Sequence, residues 1–226
     1  MEIAANLYLN KIWRIVWYAF LVFFSYLMLL ITLQYIPLRT DVAFLRVKEE
    51  IADKLYYRVA FFSHVYTGMF ILLAGMLQLP AYIRARFPAF HTWCGRVYAY
   101  GIILVTGPAG LIMGFYANGG WISKIAFCLL AFLWVAFTYK GVAAAISRNL
   151  VVHQNWMYRS YALTLSAISL RLWKWVIVLL FEPRPMDAYH IVSWLGWVGN
   201  LLIVEFYIYV RSRERFFGSQ SVIPQG

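Results

Sequence analysis

The sequence predicts an all-α fold, an integral membrane bundle of six transmembrane helices, and three observations predict it. Hydrophobic residues make up 63% of the 226-residue chain and charged residues 13%, against roughly 25% charge in soluble domains. The apolar residues gather into six runs, each close to the ~20 residues a helix needs to cross a hydrocarbon core. The runs are separated by short turns such as Asn118-Gly119-Gly120 and Glu182-Pro183-Arg184-Pro185, which carry the residues that break helices. Six spans with short loops use up the chain, so residues 1–226 read as a single polytopic domain.

Residues 1–12 read as a short amphipathic lead-in ending at Lys11. The apolar run that follows is too long for a secretory signal and lacks a small-x-small cleavage site, so it is expected to remain as span 1, about 13–36. That span has few features and is expected on the lipid side of the bundle. In residues 37–58, Val42, Leu45, Ile51 and Leu55 predict a short amphipathic helix on the membrane surface. Span 2, about 59–83, carries His64, Gly68, Gly75 and Gln78 on one helical face. That face is either a small-residue packing seam or a groove that admits a flat cofactor.

Pro88 suits the first turn of span 3, about 88–117, and places His91 inside it. Pro108, among Gly101, Gly107, Gly110 and Gly114, is expected to kink this span. Span 4 covers about 121–146, with Thr138 and Lys140 near its end. Asn149 is a good N-cap for span 5, about 150–181. Span 6, about 190–210, carries His190, Asn200 and Glu205, and the residues after it read as a basic, then polar, loose tail.

The net charge of +11 does not indicate nucleic acid, because the Lys and Arg residues lie beside spans, where they meet lipid headgroups. The N-terminal edge, the turns between spans 2 and 3 and between spans 4 and 5, and the tail carry most of them, including Lys11, Arg14, Arg84, Arg86, Arg96, Arg148, Arg211, Arg213 and Arg215, against Glu2 and Glu214. The opposite loops mix both signs. The positive-inside rule therefore puts both termini in the cytoplasm. Cys94 and Cys128 fall on different spans and suggest no disulfide framework.

The most informative stretch is His153 to Lys174, HQNWMYRSYALTLSAISLRLWK. It opens as a basic, aromatic edge and then places Arg171 and Lys174 three residues apart where hydrocarbon should be. Each would cost about 2.5–3.5 kcal/mol on insertion scales without a partner. Glu205, a haem propionate or an anionic substrate are the partners considered, and Glu205 is a poor match in depth. Lys174 can snorkel outward, so the deeper Arg171 is the more informative.

The four histidines sort by this topology into two levels, His64 with His190 and His91 with His153. Imidazoles on facing helices are the usual axial ligands of b-type haem. Two levels would suit one or two haems passing electrons across the bilayer, with Gly68 and Gly75 making room for a macrocycle. The competing reading has His91 and His153 touching headgroups, and His64 and His190 bonded to neighbouring groups. Arg96 and Arg159, each a few residues after an inner histidine at a helix start, could hold a propionate, a phosphate or a lipid headgroup.

Three pieces carry a resemblance: His64-Val65-Tyr66-Thr67-Gly68 with the later AGMLQLP, then HTWCGRVYAYG, then HQNWMYRSYALTLSAISLRLW. With them the chain resembles the bacterial membrane-protein family known as domain of unknown function 2306, over about residues 59–175. It is also distantly similar to cytochrome b561 and ferric-reductase haem bundles, from which it differs in having no helix with two histidines. The resemblance implies a bacterial inner-membrane location. The expected function is a b-type cytochrome-like transmembrane oxidoreductase with a quinone or small anionic reductant as partner. The alternative is a non-redox module, a small-solute transporter or a scaffolding subunit of a membrane complex. No hydrolase motif or phosphate-cradling glycine loop is present.

Overall fold

The computed structural model describes residues 2–41 and 43–220, with side chains described for 12–13, 15–41, 45–46, 48, 50 and 51–214. Val42, the segment 221–226 and the side chains of Glu2, Lys11, Arg14 and Arg215 lie outside what is described. Among the described residues there is no strand. Five helices are long and apolar enough to cross a membrane, and a sixth crossing is made if one bent pair counts as a single span. The chain divides into two compact units, Met1–Tyr98 and Ala99–Gly226.

In the first unit, α1 (Glu2–Leu33) is one continuous helix, so the expected lead-in is not separate from span 1. Among its described side chains, Leu21, Ser25 and Met28 are the buried ones. They recur at i, i+4 and i+7, one narrow stripe, and α1 packs on α3 (Leu55–Gln78). Most of the other described side chains of α1 are exposed, including Trp13, Val22, Phe23 and Tyr26, as its featureless sequence suggested. The short helical segment between the first two spans is a 3-10 helix (Ala43–Lys48) running into one turn, α2 (Glu49–Ala52). Leu45 is fully buried there, whereas Leu55 is 70% exposed at the start of α3.

Span 2 ends earlier than expected. Leu79-Pro80 stops α3, because proline has no N–H to continue the ladder, and residues up to 86 form a separate short helix, α4 (Ala81–Arg86). The Tyr66 hydroxyl donates to the Tyr35 carbonyl at 2.8 Å, and the Tyr35 ring meets Phe61 edge-on at 5.0 Å. α5 (Pro88–Tyr100) begins at the proline the sequence marked.

The third span continues into the second unit as a π-helical segment (Gly101–Thr106) and then α6 (Gly107–Phe115). This irregular segment lies just before Pro108. The Gly107 N–H reaches back to the Ile102 carbonyl, and the buried Thr106 hydroxyl donates to Gly101 O at 2.9 Å. α7 (Gly120–Ile146) follows a tight turn in which Gly119 has φ +83°. A side chain at Gly119 would be strained by that φ. α6 lies close on α7. A Cβ on Gly114 would come within 3.0 Å of the Cys128 nitrogen, and one on Gly107 would strike Val135. Gly107 and Gly114 are seven apart, as are Cys128 and Val135, so the seam is one face against one face.

Span 5 is bent where the sequence predicted one apolar helix. It forms α8 (Leu150–Thr164) and α9 (Ser166–Phe181), inclined by 43°. Asn149 caps α8 as expected, accepting from the Val152 N–H at 3.2 Å. The last helix, α10 (Pro185–Gln220), is longer than the predicted span at both ends. Pro185 opens it, its fixed φ suiting a first turn, and the tail expected to be loose continues it through Arg211 and Arg213.

Candidate functional site

The polar residues of the second unit form three groups along α7, α8, α9 and α10. The first is a closed ring of hydrogen bonds between α7 and α8. The Trp134 indole N–H donates to Thr164 Oγ1 at 3.0 Å, and Thr164 donates to the Ser160 carbonyl at 3.1 Å. Thr138 donates to the Trp134 carbonyl and lies 2.7 Å from Ser160 Oγ. A hydroxyl has one proton, so with Thr138 committed to a carbonyl, Ser160 donates to Thr138. All four residues are buried. Of these, Thr138 was singled out in the sequence. The signal for the others is polar residues four apart on each of two neighbouring helices, Trp134 with Thr138 and Ser160 with Thr164.

The second group sits at the bend. Asn200 on α10 donates from Nδ2 to the Ala162 carbonyl at 3.0 Å and accepts from the Ser169 hydroxyl at 2.9 Å. In an unbroken helix the Ala162 carbonyl would take the N–H of residue 166. Thr164 bonding back to the carbonyl four residues earlier adds to the bend. One amide on a neighbouring helix thus serves both sides of the break, which is how non-helical backbone is tolerated at membrane depth.

The third group lies where α8 begins. His153 Nδ1 is 2.8 Å from the Gly141 carbonyl on α7. A carbonyl only accepts, so Nδ1 carries the proton and the neutral ring keeps its lone pair on Nε2. Arg159 makes a two-point contact with Glu205, Nη2 to Oε2 at 2.7 Å. Glu205 is therefore the partner of Arg159 rather than of Arg171, as the mismatch in depth implied. The Arg159 guanidinium and the Lys140 ammonium each lie 4.7 Å from the Trp156 ring, within cation–π range. Arg211 donates to the Tyr158 hydroxyl at 3.0 Å and to Gln154 Oε1 at 2.9 Å, tying α10 to α8.

His190 is at the other end of α7. Its Nε2 is 2.7 Å from the Gly119 carbonyl, so Nε2 holds the proton and Nδ1, next to the ring's own backbone, holds the lone pair. Arg171 and Lys174 on α9 are exposed rather than turned to an interior. Arg171 donates to its own Ala167 carbonyl at 2.6 Å.

In the first unit, His64 and Gly68 are half-buried and Gly75 is buried on α3. Gln78 donates to the His91 carbonyl at 2.9 Å, and its Oε1 lies 3.3 Å from where a Cβ on Gly95 would stand. His91 is half-buried and Arg96 exposed, both on α5. Each expected histidine pair takes one member from each unit. Within the second unit, His153 and His190 are held at opposite ends of α7. Among the described residues no three His, Cys, Asp or Glu side chains form a group that could hold a metal ion.

Residues 61–208 match the model of a family described as predicted membrane protein, domain of unknown function 2306 (DUF2306), and the match covers well over half of the chain. The chain belongs to the DUF2306 family. Membership and the apolar helices together make this a multi-pass membrane protein, so the many exposed apolar side chains face a lipid bilayer. The DUF2306 match takes in all four histidines and, apart from Arg211, the polar groups just described. No curated protein and no solved structure matches the chain.

Proposed function

We propose that this protein is a b-type cytochrome-like redox protein of the bacterial inner membrane, with both termini in the cytoplasm. The observation that carries the reading is the His153 ring, whose Nδ1–H is fixed on the Gly141 carbonyl and whose Nε2 keeps the lone pair. Histidines that bind a metal commonly donate the other ring N–H to a carbonyl, which sets tautomer and ring angle. The donor chemistry at His153 therefore fits an axial haem ligand, and Lys140, beside Gly141 in the chain, suits carboxylate-bearing groups. His190 fits less well, since its Nε2 is committed to Gly119. A bound haem would supply one-electron chemistry. This chain's part would be to present Nε2, hold the ring and balance propionate charge. A quinone or small anionic reductant would be the partner.

The test is the visible spectrum of the purified protein after haem-replete expression, oxidised and then reduced. A Soret band in the wild type that is lost in His153→Ala and kept in His190→Ala supports the reading. A wild-type protein with no Soret band sinks it.

A second reading, a small-solute transporter or a scaffolding subunit, is favoured by the bend at Thr164–Ser166 with Asn200 across it. Broken helices at mid-membrane often form solute sites. Here Asn200→Leu should change transport or assembly in a protein that carries no chromophore. Loss of a bound chromophore in His153→Ala would rule this reading out.

A further inference from the structure

Two weak points in the second unit lie side by side. Span 5 turns by 43° at Leu165. Asn200 of α10 bonds to Ala162 on one side of that turn and to Ser169 on the other, so its neighbour Gly199 lies at the same level. Gly196 is needed for close approach, since a Cβ there would stand 3.0 Å from the Leu170 Cα. A Cβ on Gly199 would meet, among the described residues, just Leu195 of its own helix, at 3.9 Å. A glycine inside a helix is less favourable than alanine. Where packing does not ask for one, it marks a point that can bend.

α10 also changes partner at this level. Before it, Ala188 and Val192 pack with Ile177 and Leu170 of α9. After it, Glu205 and Arg211 are tied to α8. Among the described residues of the second unit, α9 packs on α10 and otherwise meets α8, which it continues. α9 and residues 185–199 are thus an antiparallel pair joined by a short turn. Bends at Leu165 and Gly199 suffice to move the pair against α7 and α8.

The far end of the pair is held on α7 by His190, whose Nε2 donates to the Gly119 carbonyl at 2.7 Å. Under this contact Ser123 is fully buried, and its Oγ has no hydrogen-bond partner among the described residues. A Cβ on Gly119 would lie 2.6 Å from that Oγ and 3.0 Å from His190 Cδ2, so hydroxyl and imidazole crowd one glycine. A buried hydroxyl without a partner disfavours this closed arrangement. Once His190 leaves, Ser123 meets water, or bonds back to the Gly119 carbonyl four residues earlier. From Leu165 to Glu182 is about 25 Å of helix, so a tilt of about 10° moves that end by about 4 Å, enough to part a hydrogen bond.

We propose that α9 with residues 185–199 is a gate, hinged at Leu165 and Gly199 and latched shut by His190 on the Gly119 carbonyl. The proposal needs neither the haem nor the transport reading, and its test uses no chromophore and no flux.

The sample is the full-length protein in detergent micelles, carrying Ser123→Cys and Cys128→Ala. The probe is a charged methanethiosulfonate reagent, with labelled sites resolved by mass spectrometry. Cys94, buried in the first unit, reports any general loosening. Labelling at position 123 is expected to be slow, and roughly tenfold faster with His190→Ala. His190→Gln, which keeps a donor for Gly119, should leave it slow. Adding Gly199→Ala to His190→Ala should slow it again by stiffening the hinge. No acceleration with His190→Ala, equal acceleration at Cys94, or no effect of Gly199→Ala overturns the proposal. If His190→Ala gives no folded protein, spin labels at Ile122→Cys and Met186→Cys with His190 kept decide the matter. A second distance about 4 Å longer, removed by Gly199→Ala, is the expected result. A single distance that Gly199→Ala leaves unchanged overturns the gate.

Discussion

At the scale of single residues, carbonyl oxygens decide what the histidines can do. A sequence places an imidazole near a helix end but does not say which nitrogen is committed. Gly141 and Gly119 make that choice, leaving Nε2 of His153 and Nδ1 of His190 with the lone pair. His153→Gln is expected to keep the contact to Gly141 while removing the ligand, so the protein should fold with normal yield and without a Soret band.

Arg159 and Glu205 offer a second test. Glu205→Gln leaves Arg159 with a neutral partner at membrane depth. It is expected to destabilise the protein by about 1–3 kcal/mol in detergent unfolding, with part of that restored by Arg159→Gln in the same chain. Outside the spans, the Arg39 guanidinium bonded to Asp41 holds that carboxyl below its usual range. A group whose pKa is lowered on folding favours the folded state above its unfolded pKa and loses that as pH falls through the folded value. In an NMR titration Asp41 should therefore have a midpoint below that of a free aspartate, and Arg39→Ala should raise it.

At the scale of elements, the helices were legible because hydropathy and breakers mark them. Asn149, Pro88 and the Asn118-Gly119-Gly120 turn all sit where the helices begin or end. Two irregularities were not legible. Pro108 pointed to the third span, yet the five-residue bonds run through Gly101–Thr106, where no residue type announces them. The bend at Leu165 is bridged by Asn200, some 35 residues later, and that contact lies outside any local pattern. The hydroxyls that form the ring with Trp134 were visible only as small polar residues on an apolar helix.

Asn200→Ala leaves the Ala162 carbonyl and Ser169 without their partner. It is expected to cost about 0.6–1.7 kcal/mol, the range found for hydrogen bonds between membrane helices, measured by unfolding in mixed micelles. Gly114→Leu should be worse, since its side chain would meet backbone atoms of Phe127 and Cys128. A large fall in folded yield is expected there.

At the scale of the whole molecule, composition alone established a membrane bundle, and family membership agrees with it. The orientation rests on charge, and a reporter fused after Gln220 should be active only on the cytoplasmic side. The site was less legible than the fold. Residue types gave the candidates, but pairing required three-dimensional neighbours, as Glu205 shows by joining Arg159 rather than Arg171. The widened turn before Gly107 has one more consequence. Such a segment accommodates an extra residue without rotating the helix on either side of it. Removing one amino acid from Gly101–Thr106 should let the chain rewind as an ordinary helix and leave Gly107 and Gly114 still facing α7, whereas a deletion midway along α7 would turn everything after it by about 100°. The third span is thus a membrane helix of this protein in which the loss of one residue can be survived.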